Sequence, residues 1–388
     1  MKFLSDIFRV WRRETYLSVT DMGILLFFVV LPLTYPLIYT IIYNPEVPRD
    51  IPAVVIDRSH TAESRELIRT IDATPSIQIV GLATDLADAR RAWGEKKCYA
   101  VFEIPADYAT CLARNEQAVI SYYQDMSLLL RYRQTLLSLS DVQIHETMAI
   151  TARRIADNAG LLHTVVDGLP VETQANITGD PTQGFASFVI PGIIVLILQQ
   201  GLLLGVATLA GTRRDRRQGL IAGGASLEPV EASPAATVIG RTVSHLTLYL
   251  PLMLYVLLIV PAIFSLPRIG SAVQFIPLIL LMLVAVSFLG QTIQIFVSER
   301  ETALVIIVFT SVIFLFMSGL TWPLYAFPMF WRVVAALVPA TWGVEGFVHI
   351  NSNDATLHEV ALPYLAMLGL SLVYFITAVL ATRRSSRS

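Results

Sequence analysis

The stretch "FASFVIPGIIVLILQQGLLLGVATLAG", residues 185–211, contains no charged side chain. A helix needs about 20 apolar residues to cross the roughly 30 Å hydrocarbon core of a bilayer, so this stretch can span one. Of the 388 residues, 54% are hydrophobic and 15% charged, and the apolar ones are gathered into blocks. This composition excludes an ordinary soluble domain and predicts an α-helical polytopic membrane protein with six transmembrane helices. The other five blocks are 22–43, 238–264, 273–297, 302–322 and 360–381.

The positively charged residues of the connecting segments predict the orientation. Lys and Arg resist translocation in short loops, whereas long domains cross largely regardless of their charge. Twelve Lys and Arg residues lie in the segments predicted to be cytoplasmic, against two, Arg268 and Arg332, in the short loops of the other side. We therefore predict that both termini are cytoplasmic, with residues 44–183 outside and 184–388 holding helices two to six. The cytoplasmic segments are 1–21, 212–237, 298–301 and 383–388.

The first 21 residues, "MKFLSDIFRVWRRETYLSVTD", place Phe3, Leu4 and Phe8 on one side of a helix and most charged residues on the other. This pattern predicts an amphipathic helix in the cytoplasmic interface with its basic side towards lipid phosphates. An ordinary positive flank to the first span, 22–43, is the alternative. A signal peptide is disfavoured, because "YNPEVPRD" follows the apolar block where a small-residue cleavage site would be expected.

The sequence pattern of residues 44–183 predicts an extracytoplasmic α/β domain between helices 1 and 2. Strand-like runs, "IPAVVID", "SIQIV", "CYAVFEIP" and "AVISYYQD", alternate with helix-like runs, of which "TAESRELIRTIDA" has Thr61 at its cap. A second capped helix is expected in "TDLADARRAWGEKK", and a long one over 127–159. Cys98 and Cys111 could form a disulfide in an oxidising compartment, but their placement favours free thiols.

Amide side chains stand out within the apolar blocks. Gln199 and Gln200 lie near the middle of the second span, and Gln291 and Gln294 lie in the fourth. Hydrocarbon offers amides no partner, so they either bond to neighbouring helices or face a translocation cavity. The middle of the predicted spans contains no acidic residue, which slightly disfavours a sodium ion as cargo.

A broken hairpin is predicted at residues 318–347, "SGLTWPLYAFPMFWRVVAALVPATWGVEGF". Prolines stop the fifth helix, and the apolar segment that follows is too short to span a bilayer. We predict a re-entrant or interfacial helical hairpin with its tryptophans at headgroup depth. Its key residues are Ser318, Gly319, Pro323, Pro328, Pro339 and Thr341. Phosphate-binding loops, zinc-protease helices and nucleophile elbows are missing from the sequence, so we predict no catalytic or metal site.

At this hairpin the sequence resembles the membrane subunits of type 2 ABC exporters, in the branch of multidrug and sodium exporters with a large periplasmic domain. That family has a Ser-Gly pair, a proline, a second proline and a Pro-x-Thr motif, which stand here as Ser318-Gly319, Pro323, Phe327-Pro328 and Pro339-Ala340-Thr341. The resemblance also covers the outer-domain opening and the second span. The matching residues there are Asp57, Ser64, Arg65, Ile104, Pro105, Tyr108 and the run "VIPGIIVLILQQ".

The resemblance implies a permease subunit of an ATP-driven exporter in the bacterial inner membrane, and not an enzyme. Separate cytoplasmic ABC ATPase subunits would bind ATP and Mg, and the permease would pair with itself or with a related permease. A periplasmic adaptor is a further candidate partner, whereas nucleic acid is not expected. A non-transporting receptor or scaffold with a ligand-binding outer domain is the alternative. The candidate pathway residues are Gln199, Gln200, Gln291 and Gln294.

One family feature is altered here. The stretch that usually reads Glu-Arg-Glu-x-Gly-Thr and leads to the ATPase-docking helix is "RRDRRQGLIAGGASLEPVEASP", in which Asp215 and Gly219 keep part of the pattern. We expect the segment 212–237, together with the amino-terminal helix, to couple the permease to its ATPase. The candidate coupling residues are Arg213, Arg214, Asp215, Arg216, Arg217, Gly219, Glu299, Arg300 and Glu301.

Overall fold

The computed structural model describes residues 2–43, 47–114, 116–157, 184–217, 231–297 and 300–385. The chain divides into two compact units. One combines Met1–Asn44 with Ile177–Ser388, and the other is Pro45–Asn176. The described residues are mostly helical, with one small mixed sheet in the second unit.

Helices α1, Lys2–Thr20, and α2, Met22–Tyr43, begin the first unit. Asp21 separates them, because its carboxylate accepts hydrogen bonds from the backbone nitrogens at 23 and 24 and so caps α2. The helix predicted over 1–21 is confirmed, and Phe3 and Phe8 form part of an exposed apolar face. The prediction that the charged residues face outward is wrong at two positions, because Asp6 and Glu14, which helical periodicity groups with the basic residues, are buried.

The second unit is built on a four-stranded sheet in the order β2-β1-β3-β4. Strand β1 runs parallel to β2 and β3, and β3 is antiparallel to β4. The predicted alternation of strands and helices is confirmed, including the Thr61 cap, and a short helix, α5, was not predicted. Cys98 and Cys111 are both free thiols. The elements are β1 Ile51–Asp57, α3 Ala62–Asp72, β2 Ile77–Leu82, α4 Leu86–Gly94, β3 Ala100–Ile104, α5 Tyr108–Ala113, β4 Ser121–Gln124 and α6 Leu129–Asp157.

Alternation along the strands separates two small cores. Val55 and Phe102 point to the face covered by α3, α5 and α6, where they meet Ile71 and Tyr108. Neighbouring residues such as Val54 point to the opposite face, which α4 covers. Because side chains alternate along a strand, β1 and β3 are buried on both faces and therefore read as continuous apolar runs in the sequence.

The rest of the first unit is a helical bundle. Five described helices are long and apolar enough to cross a membrane, or six if the bent pair α11 and α12 is one span. Helix α7 is central, since most of its side chains are buried against α9, α10 and α12. The helices are α7 Phe185–Arg217, α8 Pro234–Ile263, α9 Ala272–Phe296, α10 Arg300–Met317, α11 Met329–Ala336, α12 Pro339–Asn353 and α13 Ala361–Ser385.

The predicted fifth span, 302–322, is shorter than its hydropathy suggested. Helix α10 ends at Met317, and Gly319 follows with a φ of 81°. Glycine adopts this left-handed conformation without the steric cost that a side chain would add, so the helix stops there although apolar residues continue. The broken hairpin predicted over 318–347 holds α11 and the first part of α12, which continues to Asn353, and the two helices meet at an angle of 86°.

Close approach of α2 to α7 depends on glycine. A Cβ at Gly205 would lie 2.5 Å from the ring of Phe28, which is fully buried and cannot move aside. The Phe28 ring in turn meets His245 and Tyr249 of α8, at centroid distances of 5.9 and 5.4 Å. Gly205 therefore allows three helices to pack around one aromatic ring.

We predict that Gly205→Ala destabilises the bundle by about 1–3 kcal/mol, because overpacking displaces the Phe28 ring. The control is Gly369→Ala in α13, where an added Cβ meets nothing within 4 Å. Thermal unfolding of the purified protein in detergent should show a lower midpoint for the first variant alone. Equal midpoints for the two variants would contradict the packing argument.

Candidate functional site

A buried charge cluster joins four helices at one end of the bundle. It consists of Glu14, Arg213, Arg241 and Gln294. Arg213 Nη1 donates to Glu14 Oε2 at 2.8 Å, and Arg241 Nε donates to Glu14 Oε1 at 3.2 Å. Both guanidinium groups also reach the amide oxygen of Gln294, at 3.3 and 3.4 Å. The exposed fractions of the charged side chains are 2% for Glu14, 11% for Arg213 and 13% for Arg241, so water screens the cluster little.

The charges of the cluster depend on one another. Burial by itself would raise the pKa of Glu14, but the guanidinium charges of Arg213 and Arg241 outweigh it and lower that pKa to about 2. The carboxylate is therefore ionised at neutral pH. Removing one partner of a buried ion pair leaves an uncompensated charge, which costs more than the pair gains.

The ends of the apolar helices and a close approach of α1 to α8 bring the residues of the cluster together. Arg213 lies in the last turns of α7 and Gln294 in the last turn of α9, where the apolar runs end. Helix α1 packs along α8, with Thr15 bonded to Ser244 at 2.9 Å. The approach is close at Gly240, whose added Cβ would lie 2.8 Å from the Ile7 carbonyl oxygen.

Of the predicted coupling residues, Arg213 belongs to this cluster, and Arg214, Asp215 and Arg216 follow it at the end of α7. Arg214 donates to the carbonyl oxygen of Val297, and the Arg216 guanidinium lies 4.0 Å from Asp21. Asp215 is buried, and its Oδ1 has no partner among the described residues. Glu301, in the first turn of α10, is exposed. Gly219, Glu299 and the side chains of Arg217 and Arg300 lie outside the described residues.

A polar seam continues from the charge cluster between α8 and α9. It consists of Thr242, His245, Ser287 and Gln291, all buried. The Ser287 hydroxyl shares hydrogen bonds with Thr242 Oγ1 at 3.0 Å and with His245 Nδ1 at 2.8 Å. The Gln291 amide nitrogen donates to Thr242 Oγ1 at 2.9 Å. Spacings of three or four residues on each helix put these groups on facing sides, so the seam fixes the register of the two helices.

The middle of α7 is bonded to the broken hairpin. Gln199 Oε1 accepts a hydrogen bond from the backbone nitrogen of Ala340 at 2.7 Å. Ala340 lies in the first turn of α12, whose N-cap residue, Val338, has no side-chain oxygen with which to cap the helix. Thr341 donates to the Met317 carbonyl oxygen at 3.0 Å, joining α12 to the end of α10. Gln199 thus acts as a helix cap supplied by another helix.

The structure separates the four amides of the candidate pathway. Gln199 binds the hairpin, Gln291 belongs to the polar seam and Gln294 to the charge cluster. Gln200 is half-buried as a residue, but both of its amide atoms are buried and have no partner among the described residues. Sequence reasoning missed Glu14 and Arg241. The available signal for Arg241 was its charge within an apolar run, four positions before His245.

The match to a family profile covers almost all of the chain. The profile described as "ABC-2 family transporter protein" matches residues 22–380. The chain belongs to the ABC-2 transporter family. It is therefore a multi-pass membrane protein and a permease subunit of an ABC transporter, a role that implies a cytoplasmic ABC ATPase as partner. A search of curated proteins returns no match to the chain.

We predict that Glu14→Gln destabilises the permease strongly, because two buried guanidinium groups lose their counter-charge. The expected loss is about 3–5 kcal/mol, the range for breaking a buried pair. Asp6→Asn on the same helix is the control, because Asp6 is also buried but its partner Arg9 is 52% exposed, so water solvates the guanidinium that the substitution frees. Thermal unfolding in detergent and the rate of proteolysis within α1 measure the loss of stability in each variant. Similar losses in the two variants would refute a special role for Glu14.

The same cluster predicts an acid dependence. The folded pKa of Glu14, about 2, is below its ordinary value of 4.5, so its contribution is complete above pH 4.5 and is lost as the pH falls towards 2. The stability difference between the wild type and Glu14→Gln should be constant from about pH 7 to 5 and shrink below about pH 4.5. A difference that already shrinks above pH 6 would contradict this assignment.

Proposed function

We propose that this permease is the transmembrane subunit of an exporter in a bacterial inner membrane. It moves a substrate from the cytoplasm or the inner leaflet outward, through a pathway formed by two copies or by this chain and a related permease. Two separate ATPase chains, carrying ATP and Mg²⁺, drive the movement. The charge cluster carries this proposal, because it ties α1 to the ends of α7, α8 and α9 where the predicted coupling segment 212–237 begins.

The distribution of basic residues supports the orientation of the permease in this proposal. The charge cluster lies at the bundle end from which the Arg-rich segment 212–237 departs, and this segment is predicted to be cytoplasmic. An ATPase docked there would contact α1 and that segment together. The domain within 44–183 would then lie on the side where the substrate leaves.

Coupling requires nucleotide to favour one arrangement of the helices over another. A displacement of α1 or of the segment after Arg217 acts first on the ion pairs of Glu14. Since Arg213 and Arg241 lie on different helices and share this one carboxylate, α7 and α8 move with α1 or lose their counter-charge. The charge cluster therefore transmits movement of a docked ATPase to both helices.

Among the candidate pathway amides, Gln200 fits a transport role best. Its neighbour Gln199 is engaged in capping α12, whereas the amide of Gln200 has no partner among the described residues. A polar group without a partner in a membrane bundle is costly unless water or substrate reaches it. We place Gln200 on the pathway and treat Gln199 as a support of the hairpin.

We predict opposite effects from two neighbouring substitutions. Gln200→Leu should leave the thermal midpoint unchanged or raise it and should abolish ATP-dependent transport. Gln199→Leu should lower stability by about 1–3 kcal/mol, because the backbone nitrogen of Ala340 stays buried without an acceptor. Unfolding in detergent and transport by the reconstituted complex distinguish the effects of the two substitutions. Full transport by Gln200→Leu would remove this residue from the pathway.

We also predict that tagged permease purified in mild detergent retains an ABC ATPase chain in equal number. The complex should hydrolyse ATP, and the permease stripped of its partner should not. Purified Glu14→Gln complex should keep less ATPase chain than Asp6→Asn complex, since α1 is released from the bundle. A permease that purifies without any ATPase chain, or that hydrolyses ATP alone, would overturn the proposed function.

A further inference from the structure

Helix α12 crosses only half of the bundle. It begins at Pro339, beside Gln199 in the middle of the 33-residue α7. It ends where the carbonyl oxygen of Asn351 accepts hydrogen bonds from the backbone nitrogens of Ile269 and Gly270, in the connection between α8 and α9. In the proposed orientation this connection is extracytoplasmic. The helix therefore extends from the middle of the membrane unit to its outer side.

Two faces of α12 differ sharply. One face is packed without free space, since a Cβ added at Gly343 would lie 2.4 Å from the sulfur of Met282 and one at Gly346 would lie 2.5 Å from Leu278. A different face carries Thr341, Glu345 and His349, which are spaced four residues apart and therefore align along the helix. Thr341 is buried against the end of α10, Glu345 is half-buried and His349 is exposed.

Glu345 is unusual among the acidic residues of the membrane helices. Of the carboxylates in α2 and α7–α13, it is the one that lies more than one turn from a helix end. No described residue forms a hydrogen bond or an ion pair with its carboxylate. The basic residue of the hairpin, Arg332, is already engaged, because it donates to the carbonyl oxygens of Tyr325 and Phe327 at 2.8 and 3.2 Å.

The surroundings of this carboxylate cannot be hydrocarbon. A charged side chain facing lipid inside a membrane is costly, and such residues face a bundle interior or a water-filled space, where they mark substrate or ion pathways. The lipid-compatible positions of the hairpin are elsewhere, at the exposed Phe330 and Trp331 of α11. The open face of α12 that carries Glu345 therefore meets water, substrate or a second copy of the permease.

We propose that Glu345 lines the outer half of the pathway and selects substrates that carry a positive charge. The inference rests on the proposed export function and adds a substrate class to it: lipophilic cations. A carboxylate that forms no ion pair with a described residue attracts cations and repels anions, and the Thr341 and His349 side chains extend its polar stripe along the helix. The sequence analysis slightly disfavoured sodium, because it assigned Glu345 to the predicted hairpin and not to the middle of a membrane span.

A matched pair of ions tests the proposal. Tetraphenylphosphonium and tetraphenylborate have nearly the same size and opposite charges. Inside-out vesicles containing the complex of permease and co-purified ATPase should accumulate the cation in an ATP-dependent manner and accumulate the anion far less. Glu345→Gln should lower cation transport about tenfold, and Glu345→Asp should keep most of it. The control is Glu359→Gln, in the connection between α12 and α13, which should transport both ions as the wild type does.

The outcomes distinguish the two proposals. Unchanged cation transport by Glu345→Gln, or faster transport of the anion than of the cation by the wild type, would overturn the role of Glu345. A complex that retains its ATPase chain and hydrolyses ATP but moves neither ion would overturn the cation inference alone. A permease without an ATPase partner would overturn the proposed function.

Discussion

The carboxylate of Glu14 is the group on which the arrangement of the membrane unit depends. Hydrocarbon offers no partner to a guanidinium, and Arg213 and Arg241 lie within about two turns of the ends of apolar helices. Their counter-charge comes from α1, which is not itself a span. The amino-terminal helix is therefore an integral part of the bundle and not an appendage of the first transmembrane helix.

The lack of hydrogen-bond partners in hydrocarbon also explains the polar seam. Each of the four side chains of the polar seam forms at least one hydrogen bond to the facing helix, and Ser287 bonds to both Thr242 and His245. A shift of one helix by one turn would break several of these bonds together. The apolar contacts on either side would tolerate such a shift better, since they are not directional. Hydrogen bonds thus specify the register that hydrophobic packing leaves open.

Sequence reasoning found the elements that depend on local pattern. Hydropathy located the membrane helices, short apolar runs between helix-like segments located the strands, and prolines indicated the broken hairpin. Features that depend on tertiary contact were not predictable in the same way. Periodicity groups Glu14 with basic residues, because it cannot show that α8 covers this side of α1. Likewise, the amide pair Gln199-Gln200 appears uniform in the sequence, although only the first residue meets the unprotected start of α12.

Helix α7 connects the two regions in which function is proposed. Gln199 and Arg213 are 14 positions apart, or about 21 Å along a helix. The sequence between them contains no proline, and the helix is continuous and buried along this length. A rigid element of this kind moves as a unit, so a displacement of Arg213 that follows α1 also moves the acceptor of Ala340. Because Thr341 binds the end of α10, the hairpin follows α7 and α10 together. In the proposed mechanism, an ATPase acting on the charge cluster therefore alters the exposure of the α12 face that carries Glu345 without contacting it.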